Sequence, residues 1–275
     1  MRKIQLGKTG EYITVIGQGT WGIKRGRSKN YYEKWKSSLK KGIELGMNHI
    51  DTAEFYGFGK SERILADLLK EYNRDDLFIT SKLFPMHFGY NAMIKACNKS
   101  IKRLGINYLD LYLVHFPSFI FPKIKKHMKV MESLLNEGKI RYIGVSNYSI
   151  DQFKRGQEYL KKAELVTNQL HLNIISQKHI HKSLPFYVKE GVTVTAYSPL
   201  SHRGLTYLEG TIKEMLANIA DNHNATIHQI AIAWLINHDN IITIPKAFHI
   251  EHVEANAAAA DLILSEEEIK QIYNV

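Results

Sequence analysis

The sequence holds a single cysteine, Cys97, in 275 residues. That excludes an intrachain disulfide framework. Its setting, "NAMIKACNKSIKRLG", is a helical pattern in which a small buried thiol is expected. Prolines number only 6, and no Gly/Ser/Pro-rich stretch divides the chain, so residues 1–275 read as a single domain. No run approaches the roughly 18 apolar residues of a membrane span. The opening "MRKIQLGKTG" has no apolar core after its charges, so no secretory signal is visible. Together these absences point to a cytoplasmic protein without a membrane partner.

What the chain does have is basic charge, a formal net +10. Such a balance raises nucleic acid as a partner. The lysines, however, are dispersed. "EKWKSSLKKG", "FPKIKKHMK" and "DQFKRGQEYLKK" mix them with apolar and other polar residues at helical spacing, the pattern of solvated helix faces. No nucleic-acid partner is therefore expected. The same field suits a small phosphorylated molecule.

Short β-rich runs alternate with longer amphipathic segments. The runs are "YITVIGQ", "MNHIDT", "DLFITSKL", "YLDLYLVHF", "IRYIGVS", "LVTNQLHL", "VTVTAYS" and "IITIP". Eight strands separated by helices predict an α/β fold with a parallel sheet. Spacings of about 25–35 residues match one βα unit each, and the total matches a (β/α)8 TIM barrel. The start, "RKIQL-GKTG-EYI", reads as a short N-terminal β-hairpin closing the lower end. The stretch between the last two runs holds extra helical sequence.

"VIGQGTWG" spells G-x-G-x-x-G with Gly17, Gly19 and Gly22. A dinucleotide fingerprint needs a helix starting inside the glycine loop to hold the pyrophosphate. Here the charged, irregular "GIKRGRSKN" follows, and the helix starts only near Asn30. Asp51 also lies beyond the usual spacing of about 20 residues. The glycines are better read as letting the first strand end sharply beneath a ligand.

In a barrel, chemistry collects at the C-terminal ends of strands. Those ends carry Asp51 and Tyr56 in "HIDTAEFYG", Lys82 in "ITSKLF" and His115 in "LVHFP". Taken singly, each has a structural reading: a capping aspartate, a loop aromatic, a core histidine. Lys82 is harder to dismiss, because it alternates with Phe78 and Thr80 in an otherwise apolar strand. A buried ammonium needs a partner, and Asp51 on the neighbouring strand can supply it. A lysine beside Tyr56 would favour the phenolate and lower its pKa towards the range of an acid catalyst.

The motifs "GxGTWG", "HIDTAEFYG", "ITSKL", "LVHFP", "LLNEGKIRYIGVSN", "TNQLHLN", "AYSPL" and "IPKA" occur in the order of the aldo-keto reductase family, which the chain resembles from about residue 3 onward. The resemblance implies an NAD(P)H-dependent oxidoreductase that reduces aldehydes or ketones. It implies a barrel that binds NADP(H), with NAD(H) a further cofactor, in an extended form without a Rossmann fold. Tyr56 would be the general acid and Lys82, paired with Asp51, would tune it. His115 would orient the carbonyl or assist proton transfer. Tyr197 would stack under the nicotinamide, with Ser146, Asn147 and Gln169 on its carboxamide, and Thr20, Trp21 and Asp51 would also belong to the cofactor site. Ser198, Leu200 and Ser201 would meet the pyrophosphate, and Lys246 the adenosine 2′-phosphate.

Several positions depart from the family's pattern. Ala247 stands where many relatives have serine, His252 where arginine is common and Ala255 where glutamate is common, while Asn256 fits. These positions serve the adenosine end, which leaves the NADPH preference less marked. With no long tail after "SEEEIKQIYNV", an open pocket is expected, walled by Trp21, Phe55, Phe84 and Phe116. The histidines of "HIH" at 179–181 lie in helical sequence and form no metal set. A small carbonyl substrate is the expected partner; the oligomeric state stays open, a monomer being favoured. The competing class is a cofactor-binding barrel acting as a regulatory or binding subunit, since fold alone does not establish activity.

Overall fold

The computed structural model describes residues 1–118, 124–201, 204–205 and 207–273. Positions 121–123 of the "FPKIKKHMK" run and the last two residues, 274–275, lie outside the described residues. Strands β1 (Lys3–Gln5) and β2 (Tyr12–Thr14) pair antiparallel as the expected hairpin. Eight parallel strands follow in sequential order: β3 (Gln18–Gly19), β4 (His49–Asp51), β5 (Phe78–Leu83), β6 (Leu109–Val114), β7 (Ile140–Ser146), β8 (Leu165–His171), β9 (Thr193–Tyr197) and β10 (Ile241–Thr243). Helices alternate with them, and the extra sequence before β10 forms Gly210–Asn222 and Ile227–Ile236. The last and first strands meet through a parallel bridge at Ile16 and Thr243, with backbone bonds Gly17 N to Thr243 O (2.8 Å) and Gly19 N to Pro245 O (3.0 Å). This is the (β/α)8 barrel.

One run divides differently from its sequence pattern. "YITVIGQ" reads as one strand, but Tyr12–Thr14 belongs to the hairpin, while Ile16 bridges to Thr243 and Gln18–Gly19 pairs with β4 in the barrel wall. The chain must turn from sealing the lower end to joining the wall, and one straight strand cannot do both. Leu6 and Ile13 of the hairpin segment pack with Phe78, Leu111, Leu113, Val166 and Ile242, so side chains fill the barrel's lower interior.

The glycines of "VIGQGTWG" have a steric reason. A Cβ at Gly17 would lie 2.7 Å from the His49 ring, and one at Gly19 would lie 2.7 Å from Ile244 O. Both are places where neighbouring backbone passes too close for a side chain. The helix after them, Lys29–Glu44, starts well past the glycines and is capped by Ser28. The motif therefore closes a barrel and cradles no phosphate at a helix start.

At the lower end, Asp110 on β6 is fully buried and accepts from Arg74 (2.5 Å), Arg141 (2.8 Å) and the Ile79 N–H (2.8 Å). Arg141 also reaches Glu11 of the hairpin segment, tying it to the wall. Removing the carboxylate strands Arg74 and a backbone donor and takes one of its two carboxylate partners from Arg141. Breaking a buried pair costs about 3–5 kcal/mol, and the 42% exposure of the Arg141 side chain reduces that through solvent screening, to roughly 2–3 kcal/mol. Asp110→Ala is expected to lower the urea midpoint accordingly. Because Asp110 sits at the N-terminal end of β6, away from the strand ends carrying Asp51, Lys82 and His115, the arrangement of those three side chains should survive in the folded variant.

Candidate active site

β4 and β5 run side by side, with Asp51 opposite Thr80. Lys82 continues β5 two residues further and turns inward. Its ammonium, with no solvent exposure, donates to Asp51 Oδ1, to Thr52 O (3.0 Å) and to Tyr56 Oη (3.2 Å). Three donors thus meet three oxygens, which offsets the cost of burying the charge. Asp51 Oδ2 accepts from Gln169 Nε2 (2.8 Å). His115, at the end of β6, presents its ring to Tyr56 at 5.6 Å and 75°. The four residues picked out at strand ends therefore converge.

The electrostatics correct one expectation. Burial is the largest influence on the Tyr56 phenol, and it raises the pKa above the ordinary value near 10. Lys82 acts in the opposite direction but does not outweigh it. In this state the phenol is an acid that keeps its proton at neutral pH. Burial likewise disfavours the Lys82 ammonium, yet Asp51 and Tyr56 together more than compensate, and its pKa is raised. His115 is pushed down to about 3, by burial first and then by Lys82. It is a neutral imidazole, and its Nδ1 is buried with no hydrogen-bond partner among the described residues.

Around this centre lie the other predicted residues. Tyr197 ends β9, half-buried, with its hydroxyl on Asn147 Oδ1 (3.0 Å). Asn147 also donates to Ser146 Oγ (3.0 Å), and Ser146 donates to Gln169 O (2.9 Å). Asn147, Ser198 and Ser201 adopt left-handed backbone, φ between +53° and +62°, curling the chain over the strand ends. Leu200 packs against the core. Trp21 is 52% exposed, and Lys246 Nζ lies 4.8 Å from its ring centroid. Burial, and then Lys24, lowers the Lys246 pKa. Ala247 is half-buried, Asn256 is buried on the adjoining helix and His252 is exposed, with its ring 5.6 Å from that of His249. Phe55, Phe84 and Phe116 form a wall: Phe55 stacks on Phe84 (4.8 Å, 4°) and Phe84 meets Phe116 edge-on (5.6 Å).

Two of the predicted residues also have partners within the protein. Thr20 is fully buried, and its hydroxyl donates to Asp51 O (3.0 Å) and accepts from Ser61 (2.7 Å), so it braces β4 from within. Gln169 spends its amide nitrogen on Asp51, leaving its Oε1 for any ligand. Sequence reasoning missed Glu54, whose carboxylate accepts from the Phe84 N–H (2.7 Å) and bonds His87 (3.0 Å), fixing the loop that carries the aromatic wall. Its only signal was an acid one residue after Ala53 in an apolar strand end, which names no partner. Among the described residues no group of three or more His, Cys, Asp or Glu side chains could hold a metal ion, and none of their helices is long and apolar enough to cross a membrane.

Comparison with known proteins identifies the family. The sequence model of the aldo/keto reductase family matches residues 15–275. The chain is 36% identical to methylglyoxal reductase YeaE of Escherichia coli, over 94% of this chain and 90% of that protein. It is 35% identical to glyoxal reductase of Bacillus subtilis, over 86% and 81%. Among solved structures, the thermostable aldo-keto reductase Tm1743 bound to epalrestat superposes with a TM-score of 0.93 at 38% identity, covering 100% of this chain and 99% of that one. An aldo/keto reductase from Klebsiella pneumoniae in complex with NADP and acetate gives 0.89 at 33% identity, covering 99% and 94%. The chain belongs to the aldo/keto reductase family and is an oxidoreductase acting on carbonyl compounds.

Proposed function

We propose that the protein reduces small aldehydes and ketones with NADPH in the cytoplasm, as a monomer, and that Tyr56 supplies the proton. The observation that carries this is the Tyr56 hydroxyl held by the buried Lys82–Asp51 pair and facing a neutral His115. Small dicarbonyls such as methylglyoxal fall within the substrate range, in line with the names of two relatives.

The donor set fits a nicotinamide dinucleotide. Amide groups of Asn147 and Gln169 Oε1 suit a carboxamide, and the Tyr197 ring suits a stacked heterocycle. The left-handed turns at Ser198 and Ser201 suit a diphosphate, and Lys246, with Lys24 nearby, suits a further phosphate. Bound there, NADP(H) supplies the hydride. The protein's part is the proton and the orientation. His115, neutral at any physiological pH, hydrogen-bonds the carbonyl oxygen and carries no charge to it. Tyr56 releases its proton to that oxygen as charge develops, and Lys82 steadies the phenolate left behind. Asp51 keeps the ammonium charged in a dry site.

Tyr56→Phe should therefore reduce NADPH oxidation against an aldehyde panel by about 10²–10⁴-fold while cofactor binding, read by fluorescence, persists. Near-normal turnover would remove Tyr56 from the reaction. The pH profile of reduction has a defined sign. Activity needs the protonated phenol, so it is lost as pH rises through the Tyr56 pKa, which burial holds above the ordinary phenol range. With His115 at about 3, no histidine limb should appear between pH 5 and 8. Lys82→Met removes the influence that lowers the phenol, so its profile for alcohol oxidation should move to higher pH. An unmoved profile would separate the lysine from the tyrosine.

Cofactor choice is tested at Lys246. A hydrogen bond to a charged group contributes about 1.5–3 kcal/mol, or roughly 10–150-fold in affinity. Lys246→Met should weaken NADPH by that much and leave NADH nearly unchanged. Ala247 lacks a hydroxyl and His252 lacks a fixed charge, so the wild-type preference should rest mostly on this lysine. Equal affinities for both cofactors, unaltered by Lys246→Met, would refute its reading of the phosphate.

A further inference from the structure

The segment "FYGFGK" places three consecutive residues in left-handed backbone: Gly57 (φ +55°), Phe58 (φ +53°) and Gly59 (φ +78°). The glycines are sterically required as well as permissive. A Cβ at Gly57 would lie 2.7 Å from Ile23 O, and one at Gly59 would lie 2.7 Å from Arg103 Cδ. Phe58 between them has no such excuse. A bulky residue at positive φ is strained, and this one is also 72% exposed, so it recovers little by burial. Backbone strain of this kind clusters at active sites and ligand clamps, which makes the ring a candidate ligand contact.

The position of the ring says what that contact is. From the proton donor outwards, ring contacts run from Tyr56 to His115 (5.6 Å), to Phe116 (5.6 Å), to Phe84 (5.6 Å), to Phe55 (4.8 Å) and finally to Phe58 (5.9 Å). Phe55 is itself 48% exposed. The series forms one aromatic surface leading from the site of proton transfer to solvent. The Glu54 carboxylate anchors its middle through the Phe84 N–H. Phe55 and Phe58 stand at the solvent-exposed end of this series of rings. We propose that these two rings form an outer subsite for the distal ring of elongated aryl aldehydes and ketones, with Phe58 the specificity-determining residue. The proposal rests on the carbonyl-reductase reading above. Flat rings are favoured because edge-to-face and offset contacts with Phe55 and Phe58 add to simple burial of area, whereas a two- or three-carbon dicarbonyl ends before reaching them.

The test compares 4-biphenylcarboxaldehyde, benzaldehyde and methylglyoxal as substrates with NADPH, in wild type, Phe58→Ala and Phe58→Tyr. Phe58→Ala should lower kcat/KM for the biphenyl aldehyde about tenfold, through KM, which corresponds to about 1.4 kcal/mol. Benzaldehyde and methylglyoxal should stay within about twofold, since they do not reach the ring. Phe58→Tyr, which keeps the aromatic face, should retain the wild-type ratio of biphenyl aldehyde to benzaldehyde. An unchanged ratio in Phe58→Ala overturns the subsite, as does an equal fall for all three substrates. A wild-type protein that turns over none of the three overturns the reductase reading beneath it, an outcome distinct from a working enzyme indifferent to Phe58.

Discussion

A buried ammonium organises this molecule. Lys82 has no access to water, and every favourable contact it makes comes from another strand or loop: Asp51 at the end of β4, Thr52 O beside it and Tyr56 in the loop beyond. Removing the charge from water is costly, so the arrangement is tolerable only if all three oxygens are held in place. Much of the surrounding structure does that holding. Gln169, from the far side of the barrel, donates to the second Asp51 oxygen. Thr20 and Ser61 fasten the β4 backbone through a buried hydroxyl network that includes Thr52. The position of the Tyr56 hydroxyl is fixed by the same cation.

The barrel supplies the stiffness such a site needs. Its closure depends on backbone approaching backbone where a side chain would collide, at Gly17 and Gly19. Its lower end is plugged by the hairpin segment and stitched by the Asp110 cluster. The other face is free to carry left-handed turns, exposed aromatics and a lysine resting over Trp21. Strained and solvent-exposed features collect where ligands arrive because the scaffold is over-determined elsewhere.

Much of this was legible before any coordinates. The alternation of short β-rich runs and amphipathic segments is a direct consequence of strands buried on both faces and helices buried on one, so the barrel could be read from pattern. Lys82 could be picked out because an ammonium in a strand such as "FITSKL" demands a partner, and strand order made Asp51 the candidate. The hairpin could be anticipated from "GKTG". The division of "YITVIGQ" could not, because the residues look equally strand-like throughout and only the need to close the sheet splits them.

The sequence by itself determined which elements form and which residue types end the strands, because periodicity and the cost of burying charge act locally or between neighbouring strands. It also ruled out a phosphate-binding helix after the glycines, since no helix begins there. Tertiary structure alone decided the rest. The sign of the Tyr56 shift depends on how completely the phenol is buried, and desolvation outweighs the lysine only once the barrel surrounds both. The task of Gln169 follows from a contact across 118 positions of chain. That Phe58 is exposed and meets the Phe55 ring follows from the left-handed turn that folds the loop back on itself. Such effects arise from distant segments meeting in space, and a linear pattern carries no record of those meetings.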